Sequence, residues 1–95
     1  MSIANQIIIE AVDGKSKALK PLLNLLVEAT LTEKGCQKYE LYQLEEDRDV
    51  FFIIEIWKNR KRYKEHLGNE HFQELSSRMQ ELIELQVSNA LNLPN

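Results

Sequence analysis

Val50-Phe51-Phe52-Ile53-Ile54-Glu55-Ile56-Trp57 is the stretch from which the fold can be read. Its β-branched and aromatic content marks a strand. Side chains alternate along a strand, so Phe52, Ile54 and Ile56 share one face, and Phe51, Ile53, Glu55 and Trp57 the other. Apart from Glu55, both faces are apolar. A strand with one wet face alternates apolar and polar residues, so this one requires cover on both sides. The helices of a single small domain cover one face of a sheet. A second copy of the chain is the simplest cover for the other, and a homodimer is expected.

Working outward, Cys36 to Glu45 reads as a strand paired antiparallel with this one across the polar turn Glu45-Glu46-Asp47-Arg48-Asp49. Ile3 to Val12 reads as another, ended by the turn signal Asp13-Gly14. On it Asn5 shares a face with Ile3, Ile7 and Ile9, a polar amide among isoleucines. Between these strands, Leu19, Leu22, Leu23, Leu26, Val27, Thr30 and Leu31 recur at helical spacing over about five turns. Ser16 is the expected N-cap, Pro21 falls near the first turn, and Gly35 is the expected stop.

Downstream, Asn59 can cap a short helix through Leu67, closed by Gly68. Asn69 then caps a longer helix whose stripe is Phe72, Leu75, Met79, Leu82 and Ile83. Leu85 to Leu93 alternates as a half-buried strand, and Pro94 stops it. The order strand, helix, strand, strand, helix pair, strand is that of an α+β, ferredoxin-like βαββαβ domain with a four-stranded antiparallel sheet. One domain occupies residues 1–95.

Bulk properties narrow the classes of function. With 95 residues, a net charge of -3 and a pI near 5.4, the chain has no global basic field for nucleic acid or anionic lipid. A single cysteine excludes an intramolecular disulfide and suits a reducing compartment. Met1 to Glu10 lacks the basic start and long apolar core of a signal peptide. The longest apolar run, Val50 to Ile54, is far short of the ~20 residues that cross a bilayer. A cytoplasmic protein with no membrane or nucleic-acid partner is expected.

Few side chains suit chemistry. Glu55 is the sharpest anomaly, a carboxylate between Ile53 and Trp57 on an apolar face; it needs donors or a cation there. It is either a structural hydrogen-bonding group or an acid/base group, alone or orienting His66. His66 itself is either a buried, satisfied imidazole or a general base, for which its residue type is well matched near neutral pH. His66 and His71 are not spaced as a helical metal pair, no third ligand stands by, and no metal is expected. Trp57 and Tyr39 can wall a pocket for a flat ligand or simply fill a core. Lys58, Arg60, Lys61, Arg62 and Lys64 read as the solvated face of a short helix, with a residual role in attracting an anionic substrate. Cys36 reads as a packing residue.

The string Glu33-Lys34-Gly35-Cys36-Gln37-Lys38-Tyr39-Glu40, then Phe52-Ile53-Ile54-Glu55-Ile56-Trp57, then His66-Leu67 and His71-Phe72, resembles the antibiotic-biosynthesis-monooxygenase domain family. These segments match its recurring G-C-x-x-Y, E-x-W and H-x-x-x-x-H-F signatures in order, and the resemblance runs from Ile3 to Leu93. It implies a dimeric α+β barrel of two ferredoxin-like subunits. It further implies a monooxygenase that joins O₂ to a small aromatic quinol, phenol or polyketide-like substrate without flavin, metal or haem. Under it His66 or Glu55 handles the proton. Tyr39, Trp57, His71 and Phe72 contact the substrate, and Asn5 holds a ring oxygen. The haem-degrading branch is disfavoured, because His66 and Ser76 stand near the positions of its Trp and its haem-ligating His. Two alternatives stay open: an isomerase acting on a small phosphorylated signal molecule, and a non-catalytic small-molecule-binding dimer.

Overall fold

β1 (Ile3–Ala11) lies between β3 (Val50–Trp57) and β4 (Ile83–Leu91), and β2 (Cys36–Gln43) flanks β3, so the antiparallel sheet has the order β2-β3-β1-β4. The computed structural model describes residues 1–94. One face of the sheet carries α1 (Ser16–Thr30), α2 (Arg60–Leu67) and α3 (Glu70–Met79), with a 3-10 turn at Gln80–Leu82 leading into β4. This is the expected ferredoxin-like α+β architecture.

The layers follow from side-chain alternation. Phe51, Ile53, Glu55 and Trp57 point toward the helices and are buried, as are Asn5, Ile9 and Ala11 of β1. Leu19, Leu23, Leu26 and Thr30 form the buried stripe of α1 and meet them. The opposite face of β3, bearing Phe52, Ile54 and Ile56, is only half-buried. Beyond β1 on that outer face, Leu85, Val87 and Leu91 of β4 are exposed. The regular row on β4 is therefore apolar as expected, but within one subunit it faces away from the core.

Several local expectations are corrected. Ser16 is the first helical residue rather than the cap; Lys15 takes the cap position, and no side chain caps the helix. Pro21 consequently falls in the second turn, and α1 runs 15 residues. Leu31 closes α1 as an exposed residue, so Gly35 is not its stop. Gly35 instead turns the chain into β2 with a φ of +83°, a conformation glycine adopts without strain. The stem of Arg62 lies against it so closely that an added Cβ would sit 2.4 Å from Arg62 Cγ. Leu82 and Ile83 lie past the end of α3, in the 3-10 turn and in β4.

The other caps form as expected. The Asn59 side chain accepts from the Arg62 amide, and Asn69 accepts from the His71 amide. Two short helices are thereby held end to end, with His66 in the last turn of the first and His71 in the first turn of the second. Among the described residues no helix is long and apolar enough to cross a membrane.

Candidate functional site

Strand register assembles the first half of the site. Asn5 on β1 and Tyr39 on β2 both stand opposite Glu55 on β3. Glu55 is 2% exposed, and both its oxygens are engaged: Asn5 Nδ2 donates to Oε2 at 3.1 Å and Trp57 Nε1 to Oε1 at 2.7 Å. Two neutral donors thus hold a buried carboxylate, the arrangement that makes such burial tolerable. The Asn5 amide, which by its sequence setting would bond backbone near a sheet edge, lies instead on an inner strand and bonds a side chain fifty residues away.

Helix termini assemble the second half. His66 is 1% exposed, with its ring centroid 4.7 Å from Trp57, 4.5 Å from Phe72 and 5.6 Å from Tyr39. Its Nδ1 lies 2.9 Å from Glu33 Oε2, and His71 Nε2 lies 2.9 Å from that same oxygen. Glu33 stands in the tight turn after α1, fixed by its amide on the Thr30 carbonyl and by its carbonyl accepting from the Cys36 amide. One nearly buried carboxylate oxygen therefore serves two imidazoles, one buried and one at the surface.

Sequence reasoning did not single out Glu33. Its imidazole partners are 33 and 38 residues away, so no local spacing reveals them. Its place two residues ahead of Gly35, in the string that carries the family resemblance, is the one signal that could have.

The site borders two spaces. An inner cavity of about 90 Å³ lies between sheet and helices, walled by Ile7, Ile53, Tyr39, Glu55, His66 and Phe72 among others. An open groove of about 720 Å³ lies at the end of β1 and β4 against α2, and includes Asn5, Arg60 and Tyr63. Tyr63 is common to both walls. Thus Tyr39, Glu55, His66 and Phe72 come together at the inner cavity and Asn5 faces the groove. Trp57 lies behind His66, and His71 sits at the outer rim.

Burial, with help from Glu55, pushes the Tyr39 phenol far above its ordinary value, so it stays protonated. The Thr30 hydroxyl is buried without a hydrogen-bond partner. Burial also raises Tyr63, offset in part by Arg60, and raises the Cys36 thiol with help from Glu33 and Glu55. These causes favour the thiol of Cys36 over its thiolate. Among the described residues no group of three His, Cys, Asp or Glu side chains is arranged to hold a metal ion.

The family model for antibiotic biosynthesis monooxygenase matches residues 2–78. The chain belongs to that family. A Mycobacterium tuberculosis relative named "Putative monooxygenase Rv0793" is 31% identical over 71 residues, covering 75% of this chain and 68% of the relative. The crystal structure of PA3566 from Pseudomonas aeruginosa is similar with a TM-score of 0.94 and 28% identity, covering 99% of this chain and 95% of that one. The structure of Rv0793 superposes with a TM-score of 0.91, covering 100% and 97%, at 22% identity over that longer span. As a member of the antibiotic biosynthesis monooxygenase family, the chain brings one or two residues of each signature, Tyr39, Glu55, His66 and Phe72, to the wall of one inner cavity.

Proposed function

We propose that this antibiotic biosynthesis monooxygenase chain is a cofactor-independent oxygenase of a small phenol or hydroquinone, acting as a homodimer. The observation that carries the reading is His66: a buried imidazole between Trp57 and Phe72, on the wall of a largely apolar cavity, with one nitrogen held by Glu33. The groove has a volume suited to a small molecule, for which ~300–1,000 Å³ is usual. The inner cavity has room for O₂ or a few waters. The substrate ring occupies the groove and brings its reacting hydroxyl past Tyr63 to His66.

His66 removes the hydroxyl proton, and the resulting phenolate reduces O₂ by one electron. Recombination of the two radicals forms a ring carbon–oxygen bond. The peroxide then loses water, with cleavage of its O–O bond and departure of the ring hydrogen. Phenol plus O₂ gives quinone plus water; a hydroquinone gives the hydroxyquinone plus water. The protein contributes orientation, exclusion of water and one proton acceptor. Glu55, with one oxygen on Asn5 and the other on Trp57, holds the cavity wall in place rather than moving the proton. The second copy covers the outer face of the sheet, where Phe52, Ile54, Ile56, Leu85 and Val87 form an apolar surface.

Oxygen uptake by chelator-treated protein with a panel of phenols and reduced quinones tests this reading. Saturable uptake above autoxidation, reduced at least about a hundredfold in His66→Ala with its circular dichroism unchanged, is expected. Uptake equal to buffer across the panel removes it. Arg60 favours a second reading, isomerisation of a small phosphorylated molecule, since it brings a cation to the groove. A phosphorylated sugar in the same panel, followed by phosphorus NMR, separates the two.

A further inference from the structure

We propose that Glu33 is a positioning residue that selects the tautomer of His66, and that His71 clamps Glu33 in place for this task. The inference deepens the oxygenase reading by naming Nε2 of His66 as the proton-accepting atom. Its premises are geometric. Glu33 Oε2 stands 2.9 Å from His66 Nδ1. A carboxylate accepts hydrogen bonds and cannot donate them, so a neutral His66 must carry its proton on Nδ1. Nε2 is then the lone-pair nitrogen. Among the described residues no protein group hydrogen-bonds Nε2, while His66 lines the inner cavity and Glu33 does not. The ring thus bridges the carboxylate on one side and the cavity on the other.

The clamp has the same logic. A carboxylate on a surface turn is free to rotate, and a mobile acceptor would let the His66 ring turn over. Here the turn is pinned by two backbone hydrogen bonds, and His71 Nε2 donates to the oxygen that His66 uses. His71 is 29% exposed on its side chain against 9% for Glu33 and 2% for His66, so the three groups step from solvent inward. Trp57 and Phe72 lie 4.7 and 4.5 Å from the His66 ring and restrict its tilt. Orientation and tautomer are therefore set before any substrate arrives, which is the preorganisation that a proton acceptor needs.

The test is nitrogen-15 NMR of the imidazoles in uniformly labelled, substrate-free protein at neutral pH, assigned through His66→Gln and His71→Gln spectra. Expected for His66 is a protonated Nδ1 and an unprotonated Nε2. In Glu33→Leu that bias is lost and the ring reverts toward the Nε2–H form that free imidazole side chains prefer. Glu33→Asp, which keeps the acceptor, retains part of the Nδ1–H signature. A His66 that is Nε2–H or doubly protonated in the unaltered protein overturns the proposal, as does an unchanged Nδ1–H signature in a folded Glu33→Leu variant. If Glu33→Leu fails to fold, the unaltered protein's own spectrum still decides. Because the spectrum needs no substrate, it stands or falls apart from the oxygenase reading. Where uptake is observed, Glu33→Leu should lower kcat at least tenfold with KM within twofold, and His71→Asn should lower it less.

Discussion

On one face of β3, Glu55 is 2% exposed and holds the indole of Trp57 and the amide of Asn5; on the other, Phe52, Ile54 and Ile56 lie half-open to solvent. Eight residues of one strand thus put a charge where apolar packing would be simplest and leave hydrocarbon where water would favour polar groups. Burial of a carboxylate without compensation costs several kcal/mol, so its donors were built with it. Exposed apolar surface on the reverse face has no such compensation within the subunit. The inner face is complete in one chain and encloses a site. The outer face leaves apolar side chains half-open to solvent, and it is this face that the proposed second copy would cover.

Replacing the buried carboxylate gives the largest expected effect. Glu55→Leu leaves the Trp57 and Asn5 donors without an acceptor in the core and should cost about 3 kcal/mol in urea unfolding. A stabilised variant would instead mean that the carboxylate is kept for chemistry at the expense of the fold.

Tyr39, opposite Glu55 in register, sharpens the same contrast through pH. Its folded-state phenol is held protonated above the ordinary value of about 10. Above pH ~10 the unfolded chain releases that proton and the folded chain keeps it, so stability is full below this point and falls as pH rises beyond it, by about 1.4 kcal/mol per pH unit. In Tyr39→Phe this part of the alkaline decline should vanish in melts taken between neutral and alkaline pH. An identical decline in both proteins would show that the ring is not sealed in the inner layer.

The outer face should yield the smallest change in subunit stability. Ile54→Lys is expected to alter folding by about 1 kcal/mol or less, yet to convert the proposed homodimer to a single copy in sedimentation velocity. Loss of the fold itself would erase the distinction between the two faces.

The sequence makes some of this contrast visible. Glu55 and Asn5 stand out because each interrupts an apolar alternation, and the doubly apolar β3 announces that both faces need cover. That Asn5 and Tyr39 flank Glu55 depends on register, which alternation alone leaves open. Leu85, Val87 and Leu91 show a regular row on β4, but periodicity does not say to which side a row points. Glu33 was hidden more deeply, since a glutamate in a turn between a helix and a strand looks like ordinary solvated charge until α2 and α3 bring two imidazoles onto it. Gly35 reads from sequence as the stop of α1, whereas its φ of +83° turns the chain into β2 beside the stem of Arg62.

The strand order has a consequence for how the molecule is made. β1 precedes its neighbours in sequence but lies between β3 and β4, so one of its edges waits for Val50–Trp57 and the other for Ile83–Leu91. Asn5 meets Glu55 across 50 positions, and Glu33 meets His71 across 38. Contacts of such range close late and slowly. β1 therefore waits longest with an open edge, while the Glu33, His66 and His71 cluster forms only once α2 and α3 have docked.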